Sequence, residues 1–569
     1  MAKPEPLSVD DALDRLVNQF SDSMAFFREL IQNSLDAGSQ EVEIDFVHEG
    51  GKLVVHVNDW GAGMNREIID TRLTRLFSSS KDGDRTKIGK FGIGFVSVFA
   101  IEPEAVCIDT GRAGEHWRIV FDERRRFQLV RLDQPVEGTQ IRIFKQMDRR
   151  AFNRFRERAA EVIAYWCRHV RGDVRVEGEL INEPFALDVP ISAEAKLVDG
   201  EHIIVGHRDD GASFAGFYNR GLTLCEQEMI PGVAFKADSP KLEHTLTRDD
   251  VIREAGFERL MRSVRELVAT KLCAAVFEAL RDAVVKRAGA TGPSAAALPE
   301  LSEDDAWVLA YLWRCAAVHE KSPAKLAEGC AAMPVFVSPG GQTWTLEDLR
   351  RPAKREVVVA TRRSELTVKL EAEGHLVVWL PRVREDKGKG SSPAWAAAYA
   401  AGRALLERVA PTVVDVEAWC TALPPRNSEE AQRWQILAAQ VARLLDTWGA
   451  KVGGVRLGHL DYAGSAVREA VAITQAQFGE LTRSEDCGEL GRGLFASRRV
   501  VVLNADHPSV RTIAALAVDE PELGAYMAVK AFFLGRQLDA ETDEALLVAT
   551  HAARERRRVR SAGAREVTP

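Results

Sequence analysis

Glu29, Asn33 and Asp36 stand four and then three residues apart in the stretch Phe27-Arg28-Glu29-Leu30-Ile31-Gln32-Asn33-Ser34-Leu35-Asp36-Ala37. On a helix that spacing puts their side chains on one face. Phe26, Phe27, Leu30, Ile31 and Leu35 around them are apolar, so the polar stripe is expected to run along an otherwise buried helix. A buried carboxylate and carboxamide need partners, and no local residue supplies them. The expected partner is a ligand.

Three further motifs suggest which one. Asn58-Asp59-Trp60-Gly61-Ala62-Gly63-Met64 ends an apolar strand on an acid and two spaced glycines. Gly89-Lys90-Phe91-Gly92-Ile93-Gly94-Phe95 sets three glycines before an apolar helix, and Gly138-Thr139 opens another strand. An aspartate at a strand end can accept the adenine amino hydrogen, with glycines letting backbone approach the base. Glycines before a helix present N–H groups and the positive helix end to phosphates. An asparagine oxygen suits magnesium held mainly by phosphates and water. A glutamate near the terminal phosphate can orient and deprotonate water. Singly these patterns are weak: the stripe is commonly a solvated helix face, and Asp-x-Gly-x-Gly is commonly a turn. The glycine spacing is not the dinucleotide fingerprint either. All four in this order within about 110 residues make a magnesium nucleotide the best reading.

The elements that must hold these residues can be laid out in turn. Two helices are expected over 8–20 and 22–37, with Ser8 and Ser21 or Asp22 as N-caps. Short strands follow at 42–46 and 53–57, then a glycine-rich segment over 58–94, then strands near 104–109, 116–121, 126–132 and 139–144. The first domain is expected to close near 150. A second unit runs to about 285, with a helix over 154–170, strands near 180–181 and 203–205, and a long helix from about 249. Residues 287–294 have linker composition. Beyond them strands are expected at 335–337, 356–360, 376–380 and 500–503. Helices are expected near 394–409, 428–449, 508–517, 520–536 and 540–560. The fold class is a multidomain α+β or α/β protein, its last part mixed and rich in helices.

Bulk properties fit. The chain has 569 residues, 46% hydrophobic and 28% charged, which describes a globular protein of several domains. A formal net charge of −8 argues against a nucleic-acid role for the surface as a whole. No apolar run approaches the roughly 20 residues of a membrane span. The start of the chain carries no apolar signal region, so a cytoplasmic location is expected. The eight cysteines form no Cys-x-x-Cys pair and read as reduced core thiols.

The combination resembles the GHKL superfamily of ATPases, and Arg28-Glu29-Leu30-Ile31-Gln32-Asn33-Ser34-Leu35-Asp36-Ala37 with Ile88-Gly89-Lys90-Phe91-Gly92-Ile93-Gly94-Phe95-Val96-Ser97-Val98-Phe99 is most similar to the heat shock protein 90 family. That resemblance implies an N-terminal Bergerat-type α/β sandwich over 1–150, a middle α/β domain over 151–288, and a region of unassigned role over 300–569, with a subdivision near 385–393. It implies ATP and magnesium as ligands, with Glu29 as general base, Asn33 as magnesium ligand and Asp59 as adenine reader. Asp36, Gly61, Gly63, Met64 and Thr139 would shape the pocket, and Gly89, Gly92, Ile93, Gly94 and Phe95 would form the phosphate loop. Residues 65–88 would be a mobile lid whose Lys81 reaches a phosphate or stays solvated. Phe217-Tyr218-Asn219-Arg220-Gly221 followed by Leu246-Thr247-Arg248-Asp249-Asp250 resembles the family's middle domain. There Arg248, at the start of a helix, would reach the γ-phosphate as an arginine finger; its other reading is a cation compensated by Asp249 and Asp250. A glutamine usual one turn later is Ile252 here, which implies slow hydrolysis.

The resemblance implies a chaperone-like ATPase cycling on protein clients, and leaves a homodimer open. The alternative is a GHKL switch ATPase acting on DNA or in a defence or signalling complex. Nucleic acid is expected only at the tail Arg554, Arg556, Arg557, Arg558 and Arg560, which reads first as a solvated helix end. His507, in Asn504-Ala505-Asp506-His507-Pro508, reads first as a cap or buried contact and second as a ligand or base.

Overall fold

A computed structural model describes residues 22–74, 93–243, 250–289, 301–320, 326–381, 392–488, 498–533 and 539–565. The helix expected over 8–20, together with Lys81, Gly89, Gly92 and Arg248, lies outside these residues. The chain divides into two compact units, Met1–Ala275 and Val276–Pro569.

The first unit is built on strands β1 (Glu41–Glu49), β2 (Lys52–Asp59), β3 (Ala105–Arg112), β4 (Glu115–Asp122), β5 (Phe127–Arg131), β6 (Thr139–Gln146), β7 (Asp173–Val176) and β8 (Glu179–Leu180). They form one sheet in the order β5-β4-β3-β6-β2-β1-β7-β8. Every neighbour is antiparallel except β7, which joins β1 in parallel after a helical crossover. The sheet therefore continues past residue 150, where the sequence places the close of the first domain.

One face of this sheet is covered by α1 (Phe26–Asp36), α2 (Ile93–Val96, continuing as a tighter turn to Ile101) and α3 (Arg149–Cys167). Period-two alternation drives the packing. Val42, Ile44 and Phe46 of β1 and Leu53, Val55 and Val57 of β2 point inward. They meet Phe27, Leu30 and Ile31 of α1 and Phe152, Phe155 and Val162 of α3 in one continuous core. Asp148 starts α3 by accepting the Ala151 N–H at 2.7 Å. The result is a two-layer α/β sandwich.

Residues that follow make a second sheet of β9 (Ile191–Lys196), β10 (His202–His207), β11 (Phe214–Asn219), β12 (Leu222–Gln227) and β13 (Ala234–Asp238), in the order β12-β11-β13-β10-β9. Phe217 and Phe235 pack edge to face within it, and Phe257 of α4 (Ala255–Leu267) covers Phe217. The helix expected from 249 starts only at Ala255, because the Ile252 N–H is tied to the Glu243 carbonyl at 2.8 Å. The helix thus begins seven residues after Arg248 in the chain. Cys273–Gly289 is helical, so the expected linker loses its first three residues to that helix.

The second unit holds two small three-stranded sheets. Val357–Ala360 lies between Leu376–Trp379 and Val413–Asp415, all parallel, with the first two strands wholly buried. Val500–Asn504 runs parallel to Gly454–Gly458 and antiparallel to Ala472–Gln475. Helices Ser428–Thr447, Pro508–Asp519, Pro521–Phe533 and Ala540–Arg565 close a core around Leu437, Val441, Val501, Leu503, Val510 and Leu546. His507 caps Pro508–Asp519 through its Nδ1, which accepts the Ser509 N–H at 3.2 Å, the first of its two readings. Arg554 and Arg557 both pair with Glu520. Cys420 and Cys487 bring their sulfur atoms close together. They sit in separate elements 67 residues apart, a proximity that spacing along the chain does not reveal. The other six are free thiols.

Phe27, fully buried and edge-on to Phe46 at 5.9 Å, pins α1 to the sheet. Phe27→Ala is expected to cost about 3–5 kcal/mol, read as an earlier first transition in urea unfolding of the whole chain.

Candidate functional site

Asp59 is the fourth inward position of β2, after Leu53, Val55 and Val57. The same alternation that buries three aliphatic side chains buries a carboxylate, only 6% exposed. The β2–β6 register sets it opposite Thr139. Its Oδ1 accepts the Gly61 N–H at 2.9 Å and the Thr139 N–H at 3.2 Å, and its Oδ2 accepts the Ser34 hydroxyl at 2.8 Å. Burial still outweighs these three donors and raises the Asp59 pKa above the usual carboxylate range.

The glycines around it answer to close backbone approach. Gly138, at φ +65°, has the Asp59 carbonyl where a Cβ would be, 2.0 Å away. Gly63, at φ +59°, would put a Cβ 2.1 Å from the Gly111 carbonyl. At Gly61 a side chain would meet Ala37 at 2.9 Å and crowd Asp59 Oδ1 at 3.2 Å. At Gly138 and Gly63 the space a Cβ would take is filled by neighbouring backbone, so glycine lets these chain segments close together beside Asp59. Met64 enters through its backbone, donating its N–H to Thr110 Oγ1 at 2.9 Å, and Thr110 and Thr139 hydroxyls lie 3.1 Å apart.

The helix stripe divides. Glu29 is buried, 3% exposed, whereas Asn33 and Asp36 are exposed, so the expectation of a buried carboxamide does not hold. The α1 axis turns the i+4 and i+7 positions toward the solvent edge, while Leu30, Ile31 and Ser34 take the core face. Glu29 lies against α2: a Cβ on Gly94 would fall 2.4 Å from its Oε2. Arg28 Nε stands 3.8 Å from Glu29 Oε1. Asp36 receives Arg220, from the β11–β12 turn, at 3.2 Å. Phe95 sends its ring into the core against Phe121 and Phe99, leaving only its backbone for the phosphate loop.

The structure thus brings Asp59, Gly61, Gly63, Met64 and Thr139 together and sets Glu29 beside Gly94. Sequence reasoning missed Ser34, Thr110 and Arg28. Ser34 was legible as the one hydroxyl on the core face of α1; Thr110 needed the strand register, which pairs it with Thr139.

Asp59 is a buried acid at a strand end among three glycines, and a carboxylate oxygen is an acceptor that a purine amino group could use. Asn33, exposed beside Glu29 on α1, offers one neutral oxygen, enough for a magnesium ion held chiefly by phosphates and water. Among the described residues no cluster of three or more His, Cys, Asp or Glu could hold a metal by itself.

Residues 24–128 match the family model described as histidine kinase-, DNA gyrase B-, and HSP90-like ATPase. With the sandwich and the buried strand-end acid, this makes the first domain a GHKL-type ATPase domain. More particularly, the chain is similar to the chaperone protein HtpG of several bacteria. It is 31% identical to that of Anaplasma phagocytophilum (strain HZ) over 188 residues, 27% of this chain and 29% of the relative. With the Rhodospirillum rubrum protein identity is 29% over 219 residues, 32% and 34% of the two chains. With that of Roseobacter denitrificans it is 26% over 197 residues, 30% and 31%. The chain spans about a third of the length of the curated relatives it matches. Among the described residues no helix is long and apolar enough to cross a membrane.

Asp59→Asn separates the acid's charge from its hydrogen bonds. The amide oxygen can take both N–H donors, and the amide nitrogen can donate to Ser34 once that hydroxyl rotates. A raised folded pKa gives stability that is complete below the unfolded carboxylate value, about pH 4, and is lost as pH rises through the folded value. The variant is therefore expected to melt no lower than wild type at pH 7, with a flatter fall in stability above about pH 4 in differential scanning measurements.

Proposed function

We propose that this chain is a magnesium-dependent ATPase that works as a chaperone-like conformational machine on protein clients. The observation that carries the reading is Asp59, a carboxylate held in a core position at a strand end by Ser34, Gly61 and Thr139. Its carboxylate would take the adenine amino hydrogen, and Gly61 and Gly63 would let the base approach. Asp36 and Met64 would complete the pocket edge, and Gly89, Gly92, Ile93 and Gly94 would cradle phosphates. Asn33 would hold magnesium, which supplies neutralisation of phosphate charge. Glu29, buried beside Gly94, would orient and deprotonate the attacking water.

Arg248 would contact the γ-phosphate as an arginine finger, and Lys81, in the lid over 65–88, would reach a phosphate. Ile252, where a polar residue would assist, implies slow turnover. The ATP and ADP states would differ in which of these contacts they make, and that difference would drive the cycle. The similarity to proteins named chaperone HtpG supports protein clients, and a homodimer in the cytoplasm is part of the same reading. A GHKL switch acting on DNA is the second reading, favoured only by the arginines at 554–560, of which Arg554 and Arg557 are engaged by Glu520.

Calorimetry with Mg-ATP and phosphate-release assays on the full chain test this. Glu29→Ala and Arg248→Ala are expected to bind Mg-ATP near wild-type affinity while turnover falls about a hundredfold or more. Asp59→Asn, still folded, is expected to lose binding. Undiminished affinity in Asp59→Asn would remove the site assignment.

A further inference from the structure

Gly63, Met64, Asn65 and Arg66 lead from the strand-end acid into the segment over 65–74, and the β3–β4 hairpin meets three of them. That hairpin turns through two residues, Ala113 at φ +55° and Gly114 at φ +79°, a form whose twist matches paired strands. It sets Arg112 opposite Glu115. The Gly63 carbonyl lies 3.5 Å from Arg112 Nη1, and the Met64 N–H donates to Thr110 Oγ1 at 2.9 Å. Asn65 caps the short helix Arg66–Ile68, its Oδ1 accepting the Ile68 N–H at 3.1 Å. The Arg66 N–H, at a helix start and so without an acceptor inside the helix, donates to Glu115 Oε2 at 2.9 Å.

Glu115 joins this segment to something fixed. The same Oε2 accepts the Trp117 indole N–H at 3.0 Å. Trp117, two residues along β4, packs against the core of the first sheet. The Arg66 guanidinium lies over the Trp117 ring, 5.5 Å from its centroid, and its Nε donates to Asp70 at 2.7 Å. One carboxylate oxygen thus bridges a backbone N–H of the segment and a core-packed ring. The Arg66 and Trp117 N–H groups hold the Glu115 carboxyl below the usual carboxylate range, so both bonds are charge-assisted at neutral pH.

We propose that Glu115 is a positioning residue for the nucleotide pocket: by fixing Arg66 to the β3–β4 hairpin, it holds the Met64 backbone against Thr110 at the pocket edge. This rests on the reading of Met64 as part of that edge. None of these contacts involves Glu29, so losing the tie falls on how firmly ATP is held and not on the rate of the bound complex. Without Glu115 the segment must be ordered each time the nucleotide binds, and that cost appears in affinity.

The test uses the full chain with Glu115→Ala and Glu115→Gln. Phosphate release is expected to show KM for ATP raised about five- to tenfold in Glu115→Ala, with kcat within about twofold. Glu115→Gln keeps an oxygen that can accept both N–H groups and should recover most of the affinity. Hydrogen exchange over residues 63–70 without ATP reads the tie itself. It is expected to quicken about five- to tenfold in Glu115→Ala and to stay near wild type in Glu115→Gln. Unchanged exchange in Glu115→Ala would overturn the tie. Faster exchange with KM unchanged, or a loss carried by kcat alone, would overturn the positioning role. A wild type that neither binds nor turns over Mg-ATP would instead remove the function reading, with exchange still deciding the tie.

Discussion

Strand alternation places a carboxylate where a fourth aliphatic side chain would go, and much of the first domain is arranged around that fact. Asp59 follows Leu53, Val55 and Val57 on the inward face of β2. Desolvating it is unfavourable, and three donors reduce the cost without removing it, since the pKa remains raised. Those donors constrain their surroundings. Ser34 must be small and hydroxylic on a helix face otherwise apolar. Gly138 must be glycine because the Asp59 carbonyl lies where a side chain would begin. The β2–β6 register must bring Thr139 opposite. A carboxylate oxygen can accept more than one donor, so a ligand N–H could add to those the fold supplies.

The second acid works differently. Glu29 is buried by α1 and α2 together, beside an arginine that is itself buried and stacked on Trp166. One carboxylate is thus held by hydrogen-bond donors, and the other lies beside a buried charge.

Much of this could be read from the chain. The strands at 42–46, 53–57 and 104–144 follow from alternation, and Asp59 and its glycines from their spacing. The exposure of Asn33 could not, because periodicity places 29, 33 and 36 on one face without saying where that face leaves the core. The extent of the first sheet was hidden too: β7 and β8 arrive after a 19-residue helix, and their pairing with β1 is a long-range event. Ser34 shows a subtler limit. Its type and position were plain, but a serine on a helix stripe acquires meaning only when a strand end with a buried acid lies beneath it. Cys420 and Cys487 belong to the same class of information, proximity with no local trace.

The contact between Arg220 and Asp36 is of another character, since both side chains are substantially exposed, at 66% and 41%. Exposed charge pairs are worth little and fade as mobile ions crowd in, with a Debye length of about 10 Å at 0.1 M. The end of α1 is thus joined to the β11–β12 turn by a link that answers to the ionic medium, while its start is held by aromatic packing that does not. One helix is tethered at its two ends by forces of opposite salt sensitivity, so added electrolyte would loosen the rim of the pocket before it disturbed the base.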